Sequence, residues 1–308
     1  MIFNKDRLLK YGDYLKETLD TWKVKNSIKS FNRISEDQYT IHGDLKDLSI
    51  ELTNILSGIS LPYNKHILFG GIEIDIKIIQ SNRYYSNIDW IKFLKSDYEI
   101  IVEVIKNYDM NYVTSLIIHE IRHMIDFSDG NINSGLSSFD IEQKLRNFNK
   151  GDFMEFFKLV YISLEHELVA RNNQVYPYIK FKNLSKEQSI DILNKSFISQ
   201  ALYILKSFNY IDFINKFNSK ELIEISNNFI IDCLHDKVNK IEDEEDLLKF
   251  YKIWDEYFNE TSDKWKILLM REVDIIYERK NFKIDFCYEN NYKHAIMDIW
   301  GNIKLKLQ

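Results

Sequence analysis

The chain has 308 residues, 45% hydrophobic and 14% aromatic, enough to bury a sizeable core and too apolar for an intrinsically disordered protein. Its net charge of −6 is spread over interspersed acids and bases, which leaves no basic footprint for a nucleic acid. No window approaches the length of a membrane span and residues 1–10 lack a signal-peptide run, so a soluble cytoplasmic protein without a membrane partner is expected.

In residues 6–22, Leu8, Leu9, Tyr11, Leu15, Leu19 and Trp22 recur at helical spacing. They predict an amphipathic helix within an N-terminal segment spanning 1–34. Residues 38–42 read as a short strand. Asp44 is placed to cap a helix that buries Leu45, Leu48, Leu52, Ile55 and Leu56 and closes at Gly58. Gly70-Gly71 then leads into residues 72–78, whose strict apolar and polar alternation marks a strand with one buried face. Residues 83–90 and 99–106 supply two more strands, and a helix over 111–127 follows, with Asp109 or Asn111 as its cap.

Beyond a loop at 128–138, residues 140–148 predict a helix, and Asp152 with Glu155 makes a capping box for the next one. That helix runs through Phe156, Tyr161, Leu164, Glu167, Ala170 and Arg171 and is expected to end near Tyr176, before Pro177. The region 181–308 reads as mainly helical. Ser185 with Gln188 starts one helix, others cover 220–234, 244–258 and 263–279, and the tail 282–308 carries no assignment. Cys233 and Cys287 show no metal-ligand spacing and read as inert core thiols; His235 and His294 read as ordinary histidines. High Ile, Asn and Lys content with two prolines resembles proteins of AT-rich genomes, bacterial or viral, so a viral chain would sit in the virion or the host cytoplasm.

The chemistry concentrates in the helix over 111–127. His119-Glu120-Ile121-Arg122-His123 lies in a run containing Leu116, Ile117, Ile118, Ile121, Met124 and Ile125. Residues four apart stack on one helix face, so both imidazoles can reach a single metal ion while Glu120 leans over its open position. Neutral imidazoles suit Zn²⁺, and a catalytic zinc takes three protein ligands and keeps a fourth place open. Without a metal, the same residues would be a pair of satisfied core histidines with Glu120 ion-paired to Arg122 or another base.

The motif with Asp126 three residues later resembles a zincin metallopeptidase. The resemblance implies an α+β fold: a zincin-like catalytic domain over 35–180, with a small mixed or antiparallel sheet and an active-site helix, before the mainly helical C-terminal half. It also implies a sheet-edge strand that binds substrate, for which 83–90 is the candidate, and a downstream third ligand. Leu164-Glu165-His166-Glu167-Leu168-Val169-Ala170-Arg171 holds three candidates. Glu165 and Glu167 point nearly opposite ways on a helix. Leu164, Leu168 and Ala170 put the apolar stripe near Glu167, and its Glu-x-x-Ala pattern resembles the third-ligand helix of small gluzincins; His166 and Glu165 stay as rivals.

The expected activity is that of a zinc metalloendopeptidase acting on a peptide or protein substrate. Glu120 is its general base, His119, His123 and Glu167 are its Zn²⁺ ligands, and Tyr161, Arg171 and Tyr176 are candidates to contact the oxyanion or substrate. Asp126 is placed to accept a ring N–H hydrogen bond from a ligand imidazole, or else is a plain C-terminal helix residue or an ion-pair partner of Arg171. The alternative is a zincin-like structural or interaction protein, for instance of a virus particle, whose metal is stabilising only. A deformylase-type metallohydrolase ranks last, because it needs an upstream cysteine ligand and both cysteines lie downstream.

Overall fold

A computed structural model of the chain describes residues 38–41, 45–88, 97–128, 151–180, 184–234 and 239–278. The helices expected over 6–22 and 140–148, the Asp44 cap, His235, Cys287, His294 and the tail 282–308 lie outside the described residues. The chain divides into two units, 1–135 with 169–184, and 136–168 with 185–308.

The first unit is built on a five-stranded mixed sheet of order β1-β2-β3-β5-β4, where β1 is Gln38–Ile41, β2 Tyr63–Phe69, β3 Ile72–Gln80, β4 Tyr85–Ile88 and β5 Tyr98–Val104. β2 and β3 are antiparallel and turn at Gly70-Gly71, with φ of 57° and 83°. Two successive positive φ values suit a tight hairpin turn, and glycine reaches them without a Cβ clash. β1 pairs with β2 and β3 with β5 in parallel, while β4 runs antiparallel to β5 at the sheet edge. The alternation read in 72–78 is borne out: Ile72, Ile74, Ile76 and Ile78 are buried on one face beside Tyr98, Ile100, Val102 and Val104.

The other face of β3 and β5 carries charge. His66 Nδ1 meets Asp75 at 2.6 Å, and the Lys77 ammonium meets the Glu99 carboxylate at 2.6 Å with their side chains only 9% and 2% exposed. A buried charge that loses its partner is costly. Replacing Lys77 with Met is therefore expected to destabilise the fold by about 3–5 kcal/mol in urea unfolding. Converting Glu99 to Leu in the same chain should recover most of that loss; recovery of none would mean the pair is not what couples them.

Helix α1 (Leu45–Leu56) buries Leu45, Leu48, Leu52 and Leu56, a stripe at i, i+3, i+7 and i+11, and Gly58 follows at φ 77°. It packs on α2 (Met110–Ser128), joined to it by a hydroxyl hydrogen bond from Thr53 to Thr114 of 3.2 Å. Asp109 is the α2 cap, since its Oδ1 accepts the Asn111 N–H at 2.9 Å. α2 in turn packs on β4 and β5.

The expected single helix from 156 to 176 is three pieces: α3 (Met154–Ile162), α4 (Glu165–Asn173) and α5 (Tyr176–Lys180). Ser163 Oγ donates to the Val160 carbonyl at 2.7 Å, a local bond that competes with helix continuation. Pro177 lies in the first turn of α5, where its missing N–H has no helical partner to lose. The capping box expected from Asp152 and Glu155 does not form. Residues Gly151–Phe153 make a 3₁₀ turn, Phe153 is the N-cap without a side-chain bond, and Glu155 instead pairs with Lys216 at 2.6 Å.

In the second unit, α6 (Lys186–Asn194) starts on the Ser185 and Gln188 capping box that the sequence predicts. It is followed by α7 (Phe197–Lys206), α8 (Tyr210–Ile214), α9 (Ser219–Phe229) with a π turn to Leu234, and α10 (Glu244–Glu278). The two helices expected over 244–258 and 263–279 are one. Thr261 and Ser262 interrupt the apolar pattern, yet both are buried, and Ser262 Oγ is satisfied by the Leu202 carbonyl at 2.9 Å. Phe156 anchors the core here, with its ring centroid 5.1 Å from Tyr251 and 5.5 Å from Trp254, both in edge contact. Among the described residues, no helix is long and apolar enough to cross a membrane.

Candidate metal centre

His119 and His123 face the same way because four residues advance a helix by slightly more than one turn. Their rings meet at an interplanar angle of 86°, and the two Nε2 atoms lie 3.0 Å apart. Glu167 stands on α4, nearly inaccessible at 1% exposure. Ligand atoms of His119, His123 and Glu167 all lie within 4.8 Å of one another, the only such group of three among the described residues. Of the two candidates in 165–167 whose side chains are described, Glu167 joins the imidazoles. His166 is buried without contributing to the group, and the Glu165 side chain lies outside the described residues.

The donor set passes a chemical test. Tetrahedral Zn²⁺ with bonds to nitrogen near 2.05 Å holds two nitrogens about 3.3 Å apart, close to the spacing of the two rings here. Two imidazoles and one carboxylate fit zinc, and they fit other divalent transition metals as well. The same approach of nitrogens also serves one N–H···N hydrogen bond between the rings.

Glu120, next to His119 on α2, also reaches the sheet. Its Oε1 accepts a hydrogen bond of 2.6 Å from the Ser86 hydroxyl on β4, and only 7% of the residue is exposed. Ser86 is the residue that the sequence reading missed. Its one signal was the alternation around Ile88, which puts both residues on the face that meets α2.

Tyr161, a candidate oxyanion contact, donates its hydroxyl hydrogen bond to Glu167 Oε1. Arg171, one helical turn beyond Glu167, lies in electrostatic reach of Tyr112, whose phenol is raised above its ordinary pKa by burial and by Tyr84 and lowered in part by Arg171. The Tyr84 and Tyr112 ring centroids are 4.3 Å apart. Burial, then Asp109, raises the Tyr178 phenol strongly, so it stays neutral. Tyr176 is a buried core residue, and the Asp126 side chain lies outside the described residues. No protein-family model, curated protein or solved structure matches this chain.

Proposed function

We propose that the chain is a zinc-dependent metallopeptidase with a zincin-like catalytic domain of the gluzincin kind. The observation that carries this reading is the convergence of His119, His123 and Glu167, with Glu120 adjacent to His119 on the same helix. His119, His123 and Glu167 would hold the ion. When bound, zinc supplies a Lewis acid for a peptide carbonyl and makes water at its open position more acidic. Glu120 accepts the proton of the attacking water and passes it to the leaving amine, as a positioned general base and acid. The edge strand β4 offers a backbone ladder to an extended peptide or protein substrate.

Tyr161 serves here as a positioning group, since its hydroxyl holds the Glu167 carboxylate. Tyr161→Phe is expected to weaken zinc binding by about 10- to 100-fold, measured by competition with a chelator, with little change in fold. Unchanged affinity would leave Tyr161 without that role. The proposal as a whole is tested by zinc analysis of the purified protein together with casein and peptide-library cleavage.

A second reading is favoured by the 3.0 Å approach of the two ring nitrogens, which a His–His hydrogen bond can satisfy without any metal. The chain would then be a scaffold or interaction protein. Absence of stoichiometric zinc, or zinc without any cleavage, would support that reading.

A further inference from the structure

We propose that Ser86 is a positioning residue that holds the Glu120 carboxylate in its working orientation, an assignment that rests on the metallopeptidase reading. The place of this side chain is unusual for a hydroxyl. Ser86 is in register with Val102 and two residues before Ile88, so it points to the sheet face that β3 and β5 build from Ile72, Ile74, Ile76, Ile78, Ile100 and Val102. A hydroxyl on an apolar face costs free energy unless it finds a partner. Its partner is Glu120 Oε1, at 2.6 Å.

The geometry has a mechanical meaning. A carboxylate on a flexible side chain rotates among several orientations unless something holds one oxygen. A donor fixed on a strand holds it from outside the helix that carries Glu120, so the base keeps its aim while the α2 backbone carries the two histidines. β4 pairs only with β5 among the described residues. An extended chain added to the other side of β4 would therefore steady the very strand that carries Ser86. Substrate docking and alignment of the base then become one event.

The test uses the whole zinc-loaded chain in four forms: unaltered, Ser86→Ala, Glu120→Gln and both together. Each is titrated calorimetrically with acetohydroxamic acid, a small zinc-directed acid that gives its proton to a neighbouring base, and zinc content is measured in parallel. Ser86→Ala is expected to weaken binding about tenfold when Glu120 is present and less than about twofold when it is replaced, because the hydroxyl acts through that carboxylate. Ser86→Thr, which keeps the hydroxyl in a strand-compatible residue, should restore binding. Equal weakening in both backgrounds, or no weakening in either, overturns the assignment.

Peptide hydrolysis by the same proteins separates this inference from the reading beneath it. A fall in kcat of about 10- to 100-fold with KM unchanged in Ser86→Ala supports the positioning role. Hydrolysis that depends on Glu120 but not on Ser86 removes the positioning role alone. Coupled hydroxamate binding without hydrolysis by the unaltered chain removes the peptidase and keeps the Ser86–Glu120 coupling.

Discussion

Glu120→Gln is expected to retain bound metal while hydrolysis of peptide bonds falls by about 10²- to 10⁴-fold, the range that a positioned proton acceptor supplies. Glutamine has nearly the volume of glutamate and can still accept the Ser86 hydroxyl through its carbonyl oxygen, so packing beneath β4 is conserved. What it cannot do is take a proton. The measurement is kcat/KM on a peptide cleaved by the unaltered protein, with metal content determined on the same sample. Full activity would remove the general-base role, and loss of metal would mean that Glu120 is itself a ligand.

Single replacements of His119, His123 or Glu167 by Ala are expected to abolish tight zinc binding and lower the thermal midpoint. An ion bound only by the folded state stabilises it by about 4 kcal/mol when its free concentration is a thousand times its Kd. Each variant should unfold at the midpoint of chelator-treated unaltered protein, after allowance for the packing lost at that position. Glu165→Ala and His166→Ala are the controls, expected to keep full zinc stoichiometry. Zinc retained in Glu167→Ala and lost in either control would transfer the third ligand to that residue.

The parts of the fold that were legible in the sequence are those governed by local periodicity. β3 alternates strictly, α1 repeats its leucines at helical spacing, and α2 surrounds its polar triplet with apolar residues. β2 was not assigned because Lys65, in register with Ile76 on the apolar face, breaks its alternation, and polar His66 follows it on the charged face. That histidine is buried, and its reason for being there is Asp75, its cross-strand neighbour. The continuity of α10 was hidden for a similar reason: Thr261 and Ser262 look like a break, and only the carbonyl of Leu202 on another helix shows that Ser262 is accommodated. In the site, the spacing of His119 and His123 is an intrahelical property and can be read directly. Ser86 and Tyr161 act on groups 34 and 6 residues away, through contacts that no periodicity encodes.

The division of the chain within α4 bears on how the protein is made. The first unit is not contiguous: after residue 135 it resumes only at Val169–Leu184, and that late segment supplies α5, which packs on both α1 and α2. A ribosome adding about 5–20 residues per second needs roughly 2–10 s to cover the intervening stretch to Leu184. For that interval the apolar faces of α1 and α2 wait for a neighbour that has not been synthesised. The motif helix is thus finished in sequence, with α1, β4 and β5 already made, before α5 exists to cover it.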